Sequence, residues 1–291
     1  FQAEDGIRDC LLSRGLGDVY KRQISMGGTG KTPLVKFIAS ELSNRGYKPG
    51  LVSRGYGGKF STTLEVTNDS THKETGDEAQ ILAKLNLPFF LDKNRSRAAK
   101  KLQENYDIDV IISDDGLQHY AMGRDIEIAV IDGVRRLGNG FAFPAGPLRD
   151  PKSRLNEVDF IVNNGGPTEG DEILMTLSPT KFVHLNSGKE YSVDKWPMHN
   201  QVHALAGIGN PNRFFDLLLR LGFEFDKNPF PDHHKYNKRD LYYLDHLPIL
   251  MTEKDAAKCK HFNNSKIWYL SIESKIESQF IDRLEEKLND R

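Results

Sequence analysis

Gly27-Gly28-Thr29-Gly30-Lys31-Thr32-Pro33-Leu34 is the stretch that decides how this chain folds. A glycine-rich turn leaves backbone N–H groups open to wrap a polyphosphate. The lysine reaches the β- and γ-phosphates, and the following hydroxyl can hold Mg²⁺. Pro33 sits in the first turn of the helix that follows, where proline is tolerated. Leu34, Ile38 and Leu42 then recur at four-residue spacing beside Val35, which predicts a buried helical stripe. The strict pattern G-x-x-x-x-G-K-[ST] asks for glycine five places before Gly30, and this chain carries Ser25. Gly27, Gly28, Thr29, Gly30, Lys31 and Thr32 are the expected phosphate cradle, and Thr32 is also an expected metal ligand.

Working outward, the bulk numbers describe a folded protein. The chain has 291 residues, 38% hydrophobic and 28% charged, which allows one large or two modest domains. A net charge of −1 gives no field that would draw nucleic acid, and no such partner is expected. Cys10 and Cys259 supply neither a disulfide framework nor a metal cluster. No apolar run reaches the ~18 residues of a membrane span. Residues 1–23 lack helical or strand periodicity, and Asp18 to Gln23 are too polar for the buried strand that should precede a phosphate-binding turn. They read as a non-native leader in place of that strand.

Beyond the turn the chain alternates short apolar runs with helical patterns. Strands are predicted at Gly50–Arg54, Pro88–Leu91, Asp109–Ser113, Glu127–Ile131, Phe160–Asn163, Phe182–Leu185, His203–Ala206, Ile249–Thr252 and Ile267–Leu270. Helices are predicted at Glu78–Leu85, Arg95–Asn105, Asn212–Leu221, Lys238–Asp245 and Ser278–Leu288. Such alternation argues for an α/β fold with parallel sheets covered on both faces. Asn163-Asn164-Gly165-Gly166-Pro167 reads as a turn-rich break. The division that follows is 24–165 for a P-loop subdomain, 166–200 for a linker region and 201–291 for a second α/β subdomain.

Further constellations carry chemistry. The apolar run from Val110 ends in Asp114 and Asp115, placed to hold Mg²⁺ at a strand tip. Gln118 and His119 follow on the same surface. Asp77, in Thr75-Gly76-Asp77-Glu78, could cap a helix or orient an acceptor hydroxyl. Arg54 and Tyr56 follow a strand, where ligands bind in doubly wound folds. Arg149 and Asp150 lie on a proline-stiffened loop. Pro231-Asp232-His233-His234-Lys235-Tyr236 gathers groups that titrate near neutral pH; zinc is the competing reading, and no second cluster has metal-ligand spacing.

Taken together, GGTGKTP (27–33), SRGYGG (53–58), GDEA (76–79), DDGLQH (114–119), PAGPLRDP (144–151), AGIGNPNRFF (206–215), FPDHHKY (230–236) and TEKDAAK (252–258) resemble the tetraacyldisaccharide 4′-kinase family, in the family's order. The resemblance implies two α/β/α subdomains of P-loop NTPase type joined by a short β linker. It implies transfer of the γ-phosphate of ATP, with Mg²⁺, to the 4′-hydroxyl of tetraacyldisaccharide 1-phosphate, giving lipid IVA. Lys31 and Thr32 then serve phosphate and metal, and Asp114 and Asp115 the metal. Asp77 is the catalytic base, assisted by His233. Arg54, Tyr56, Gln118, His119, Arg149 and Asp150 line the substrate site, Asp150 standing where many members carry Glu. The acylated substrate implies a membrane surface as the workplace, with the protein peripheral at the cytoplasmic face of the inner membrane; a monomer is expected. Two other classes stay open on residues alone: a P-loop GTPase or metallochaperone switch, and an inactive nucleotide-binding module. Against the first, Thr252-Glu253-Lys254-Asp255 has its lysine one place late for [NT]-K-x-D.

Overall fold

The computed structural model of the chain describes residues 10–12, 22–23, 30–67, 69–114, 123, 125–141, 144–148 and 151–290. They fall in two units, one running to Leu177 and resuming at Ser274, the other Ser178–Glu273.

The first unit contains β1 (Cys10–Leu12), β2 (Arg22–Gln23), α1 (Lys31–Asn44), β3 (Pro49–Ser53), β4 (Leu64–Glu65), α2 (His72–Thr75), α3 (Asp77–Leu82), β5 (Phe89–Leu91), α4 (Arg95–Asn105), β6 (Val110–Asp114), β7 (Ile126–Asp132), β8 (Phe160–Asn164) and the first half of β9 (Ile173–His184). One sheet has the order β4-β5-β3-β6, with β5, β3 and β6 parallel and β4 antiparallel at the edge. In the other, β7, β8 and β9 run parallel. Every residue of β3, β6 and β7 is buried, as expected for strands covered on both faces. The predicted stripe is the core face of α1: Leu34, Val35, Ile38 and Leu42 are fully buried. Burial of each such side chain stabilises by about 1.5–3 kcal/mol. Helix α1 packs against β3 and β6, which fixes where its first turn lies.

A two-residue strand, Arg22–Gln23, forms ahead of that turn. Arg22–Gln23 pairs parallel with Ala129–Val130, while β1 pairs antiparallel with Ile126–Ile128 on the same edge of β7. Ladder bonds are made by the backbone, so two polar residues can close a sheet edge without an apolar run.

The second unit holds the rest of β9, β10 (Glu190–Ser192), β11 (Gln201–Ala206), α5 (Pro211–Arg220), β12 (Glu224–Pro229), β13 (Ile249–Thr252), α6 (Glu253–Cys259) and most of β14 (Ile267–Ile276). Its strands β14, β13, β11 and β12 lie in that order and run parallel. Strand β10 folds back antiparallel on β9. Strands β9 and β14 each carry the chain from one unit into the other. The last helix, α7 (Ser278–Asn289), belongs to the first unit. Its Phe280 stacks on Phe37 of α1 at 6.5 Å and meets Phe160 edge-on at 5.5 Å. Arg45 binds Asp282 and Glu285 across the same seam. A division that keeps 201–291 together therefore differs from these units.

The helix expected at Lys238–Asp245 is a series of turns. Carbonyls a helix would use are engaged elsewhere: Asn264 Nδ2 donates to Leu241 O at 3.2 Å and Lys266 Nζ to Tyr243 O at 3.0 Å. Asp240 instead closes a turn by accepting from Asn237 N at 2.9 Å.

Candidate active site

In the first unit the polar residues collect at the carboxyl ends of the parallel strands, where this architecture binds ligands. Gly30 leads into α1 with φ +92°, a left-handed value that favours glycine. It contributes no side-chain cap, and no acid stands in the first turn of the helix. The first N–H groups and the positive end of the helix dipole thus meet no side-chain cap from Gly30 and no acid of the helix's own first turn, an arrangement suited to an anion. Lys31 is drawn in beside them with only 7% of its surface exposed, and Thr32 is half-buried. Asp114, the last residue of β6, is 2% exposed. A hydroxyl and a carboxylate are hard oxygen donors. Mg²⁺ takes only one or two protein carboxylates beside substrate phosphates and water, so these residues fit it. Among the described residues no group of three or more His, Cys, Asp or Glu forms a denser metal site.

Asp77 is the first residue of α3, and the cap position falls on Gly76. Asp77 therefore stands one place past the cap, as an acid in the first turn of the helix. Gly76 (φ +85°) packs against the SRGYGG turn: a methyl there would lie 2.0 Å from Tyr56 O. A methyl on Gly58 would lie 2.4 Å from Glu74 O. These glycine contacts bring Arg54, Tyr56 and Asp77 onto two turns in mutual contact, with Arg54 exposed and Tyr56 and Asp77 half-buried.

Sequence reasoning passed over what holds the SRGYGG turn. Asp92, just past β5, donates its N–H to Ser53 O at 3.0 Å. Its buried carboxylate accepts from Arg97 Nε at 2.6 Å and Nη2 at 2.8 Å, from Asn94 N at 2.8 Å and from Thr63. Burial pushes this carboxyl up, but the bonds from Arg97, Thr63 and Asn94 outweigh it, and its pKa is lowered. The signal was present as an Asp directly after an apolar strand. Asn164 was also passed over, because NNGGP reads as a break; it is fully buried at the end of β8.

Gly27, Gly28, Thr29, Asp115, Gln118, His119, Arg149 and Asp150 lie outside the described residues. The flanks of the last two are anchored: Leu148 is fully buried and donates its N–H to Phe141 O at 3.1 Å. Arg154 donates to both carboxylate oxygens of Glu127, at 3.2 and 3.1 Å.

In the second unit the two adjacent histidines part company. His234 bonds Asp240 at 2.9 Å and stacks on Phe230 at 4.5 Å, so it serves the fold. His233 is half-buried in the left-handed region at φ +57°, a strained backbone for a residue of this size. The GTPase-like Asp255 is fully buried and engaged by the protein itself: Gly207 N at 3.0 Å, Thr252 Oγ1 at 2.7 Å and Lys258 Nζ at 3.0 Å all donate to it. A carboxylate so occupied is not offered to a guanine.

With this geometry in hand, comparison with known proteins is direct. A family profile described as Tetraacyldisaccharide-1-P 4'-kinase matches residues 23–289. The tetraacyldisaccharide 4'-kinase of Ruthia magnifica is 45% identical over 267 residues, covering 91% of this chain and 84% of that protein. That of Shewanella frigidimarina is 46% identical over 260 residues, covering 88% and 77%. The structure of LpxK from Aquifex aeolicus, an "apo" form in complex with ATP, aligns with a TM-score of 0.76 over 94% of this chain and 90% of that one. At 24% identity that likeness is one of fold. The chain belongs to the tetraacyldisaccharide 4′-kinase family.

Proposed function

We propose that the chain transfers the γ-phosphoryl group of ATP to the 4′-hydroxyl of tetraacyldisaccharide 1-phosphate, giving lipid IVA in lipid A biosynthesis. The observation that carries this reading is the family match over residues 23–289 on a chain that buries Lys31 at the uncapped start of α1. In phosphoryl transfer the protein mainly positions the reactants and stabilises charge. Gly27, Gly28, Thr29, Gly30 and the N-terminus of α1 hold the β- and γ-phosphates. Lys31 neutralises charge spreading over the phosphoryl oxygens. Thr32, Asp114 and Asp115 would hold Mg²⁺, which supplies charge neutralisation between the phosphates when bound. Asp77 orients the acceptor hydroxyl and takes its proton. His233 enters through its motif and its strained backbone as the assisting group. Arg54, Tyr56, Gln118, His119, Arg149 and Asp150 are assigned to the substrate.

The acyl chains of that substrate place the work at a membrane surface. We assign a monomer on the cytoplasmic face of the inner membrane, held peripherally. No described helix is long and apolar enough to cross a membrane.

The test is transfer of ³²P from labelled ATP to tetraacyldisaccharide 1-phosphate in detergent micelles. Transfer that Asp77→Ala abolishes, with ATP affinity kept, supports the reading. ATP binding without transfer by the unaltered chain would overturn it in favour of a nucleotide-binding module. Loss of ATP affinity with unchanged kcat in Asp77→Ala would remove Asp77 from the role of base.

A further inference from the structure

We propose that Asn164 is a positioning residue for the phosphate-binding turn, setting Gly30 and, through it, Lys31. The inference rests on the kinase reading for its nucleotide and goes beyond it in naming what fixes the turn from outside. A β-strand sends successive side chains to opposite faces, so the neighbours Asn163 and Asn164 have separate tasks. Asn163 Nδ2 donates to Pro167 O at 2.7 Å and to Glu172 Oε2 at 2.8 Å, which ties down the turn after β8. Asn164 faces the start of α1. A methyl built on Gly30 would lie 2.4 Å from Asn164 Nδ2, 3.0 Å from its Cγ and 2.9 Å from Met175 Cε. Residues 164 and 175 are register partners in β8 and β9, so Gly30 sits against two adjoining strands. The backbone of Asn164 is fixed as well: its carbonyl accepts from Gly133 N at 3.2 Å.

The chemistry of this wall carries the argument. Asn164 has no exposed surface. An apolar side chain of the same volume would fill the space, and burying a primary amide is costly unless its polar atoms have work to do. An amide beside a phosphate turn can meet backbone groups without adding charge of either sign near a polyanion. An acid there would repel the nucleotide. The wall also explains why the position before Lys31 must be glycine on two independent grounds, its left-handed φ of +92° and the lack of room.

The experiment reads ATP binding by calorimetry on the full chain, with unfolding midpoints measured without nucleotide. Asn164→Ala is expected to weaken ATP about tenfold, the scale of one lost buried polar contact. Asn164→Asp, nearly isosteric, is expected to weaken ATP on the order of a hundredfold by placing charge beside the phosphates. KM for the lipid acceptor stays within about twofold in both. Affinity for ATP unchanged in either variant overturns the proposal, as does an equal loss in both that follows their unfolding midpoints. Should either variant fold poorly, Gly30→Ala supplies a second route. Its loss of ATP affinity should be smaller in the Asn164→Ala background than alone, because the Asn164 part of the clash has gone while Met175 and the left-handed φ remain; equal losses overturn the proposal. ATP binding and the unfolding midpoints carry the proposal by themselves, so failure of transfer to lipid would count against the kinase reading and leave this one standing.

Discussion

At the start of α1 the chain places Gly30, Lys31 and Thr32 after a turn; at the start of α6 it places Thr252, Glu253, Lys254 and Asp255 after β13. The second helix satisfies itself. Thr252 Oγ1 caps it by accepting from Asp255 N at 3.1 Å, and Glu253 and Asp255 supply acid to its first turn. Asp255 then binds Lys258, which also reaches Gly207 O at 3.2 Å. The first helix has neither cap nor acid. The difference teaches how to tell a structural strand-to-helix turn from a binding one. A helix whose first turn carries its own carboxylates has spent its N-terminal field internally, whereas one that begins on glycine with no acid in its first turn leaves that field to a ligand.

The strongest way to break this comparison is to remove the lysine from the uncapped turn. Lys31→Ala should lower kcat/KM about 10³-fold or more, since transition-state charge on the phosphoryl group then lacks its cation. The ³²P transfer assay measures it. Unfolding midpoints should barely move. A variant that kept activity within tenfold would show that the uncapped helix is not the phosphate site.

Asp255→Ala tests the self-satisfied turn, with the readouts reversed. It leaves Lys258 charged at 5% exposure with its main partner gone. Stripping one member from a buried pair costs about 3–5 kcal/mol. Urea unfolding should show that loss, while ATP affinity of the folded protein stays within about twofold. The double change Asp255→Leu with Lys258→Met should recover much of the stability, because no buried charge remains. A large drop in ATP affinity with stability intact would sink the structural assignment.

How much of this was legible from sequence follows the same line. The stripe Leu34, Ile38, Leu42 and the runs that became β3, β6, β7 and β8 announced themselves, because burial on one or both faces leaves a periodic or continuous apolar trace. Helix α4 was legible to its ends, Asn94 capping it through Arg97 N at 3.2 Å. Helix α6 was missed, since four of its seven residues are charged and its buried apolar residues, Ala256, Ala257 and Cys259, are too few and too small to leave a clear stripe. The false helix at Lys238–Asp245 had a plausible pattern, but partners 23 residues on, Asn264 and Lys266, take its carbonyls. Of the site, Lys31, Thr32, Asp77 and Asp114 could be named from motifs. Asp92 and Asn164 were passed over: Asp92 shows in the sequence only as an acid after an apolar strand, and what each lies against, Ser53 and Gly30, is distant in sequence.

A smaller effect sharpens the comparison within the first unit. The lowered pKa of Asp92 means that its folded carboxylate resists protonation below the usual 3.8. The sign follows: its contribution is present in full above that usual value and is lost as pH falls through the lowered folded one. Asp92→Asn should therefore cost about 1–3 kcal/mol near pH 6, the cost of unmet buried partners. The gap between the two proteins should narrow as pH falls below 3.8 and through the lowered folded value. Urea midpoints from pH 6 down to pH 3 measure it. A gap that stayed constant with pH would mean that Asp92 acts by shape and not by charge.

The smallest expected effect is a control on the whole argument. Lys100 and Glu104 form an ion pair on α4 at 3.8 Å with side chains 77% and 56% exposed. It has the same four-residue reach as many stabilising helix pairs, but its order is the weaker one, with lysine nearer the N-terminus. Water and salt screen it, so Lys100→Ala should change stability by less than about 0.5 kcal/mol. The contrast between α1 and α6 assigns weight to charge only where burial removes water. A shift at Lys100 as large as that at Asp255 would mean that surface charge is as costly to remove as buried charge, and the comparison would lose its physical basis.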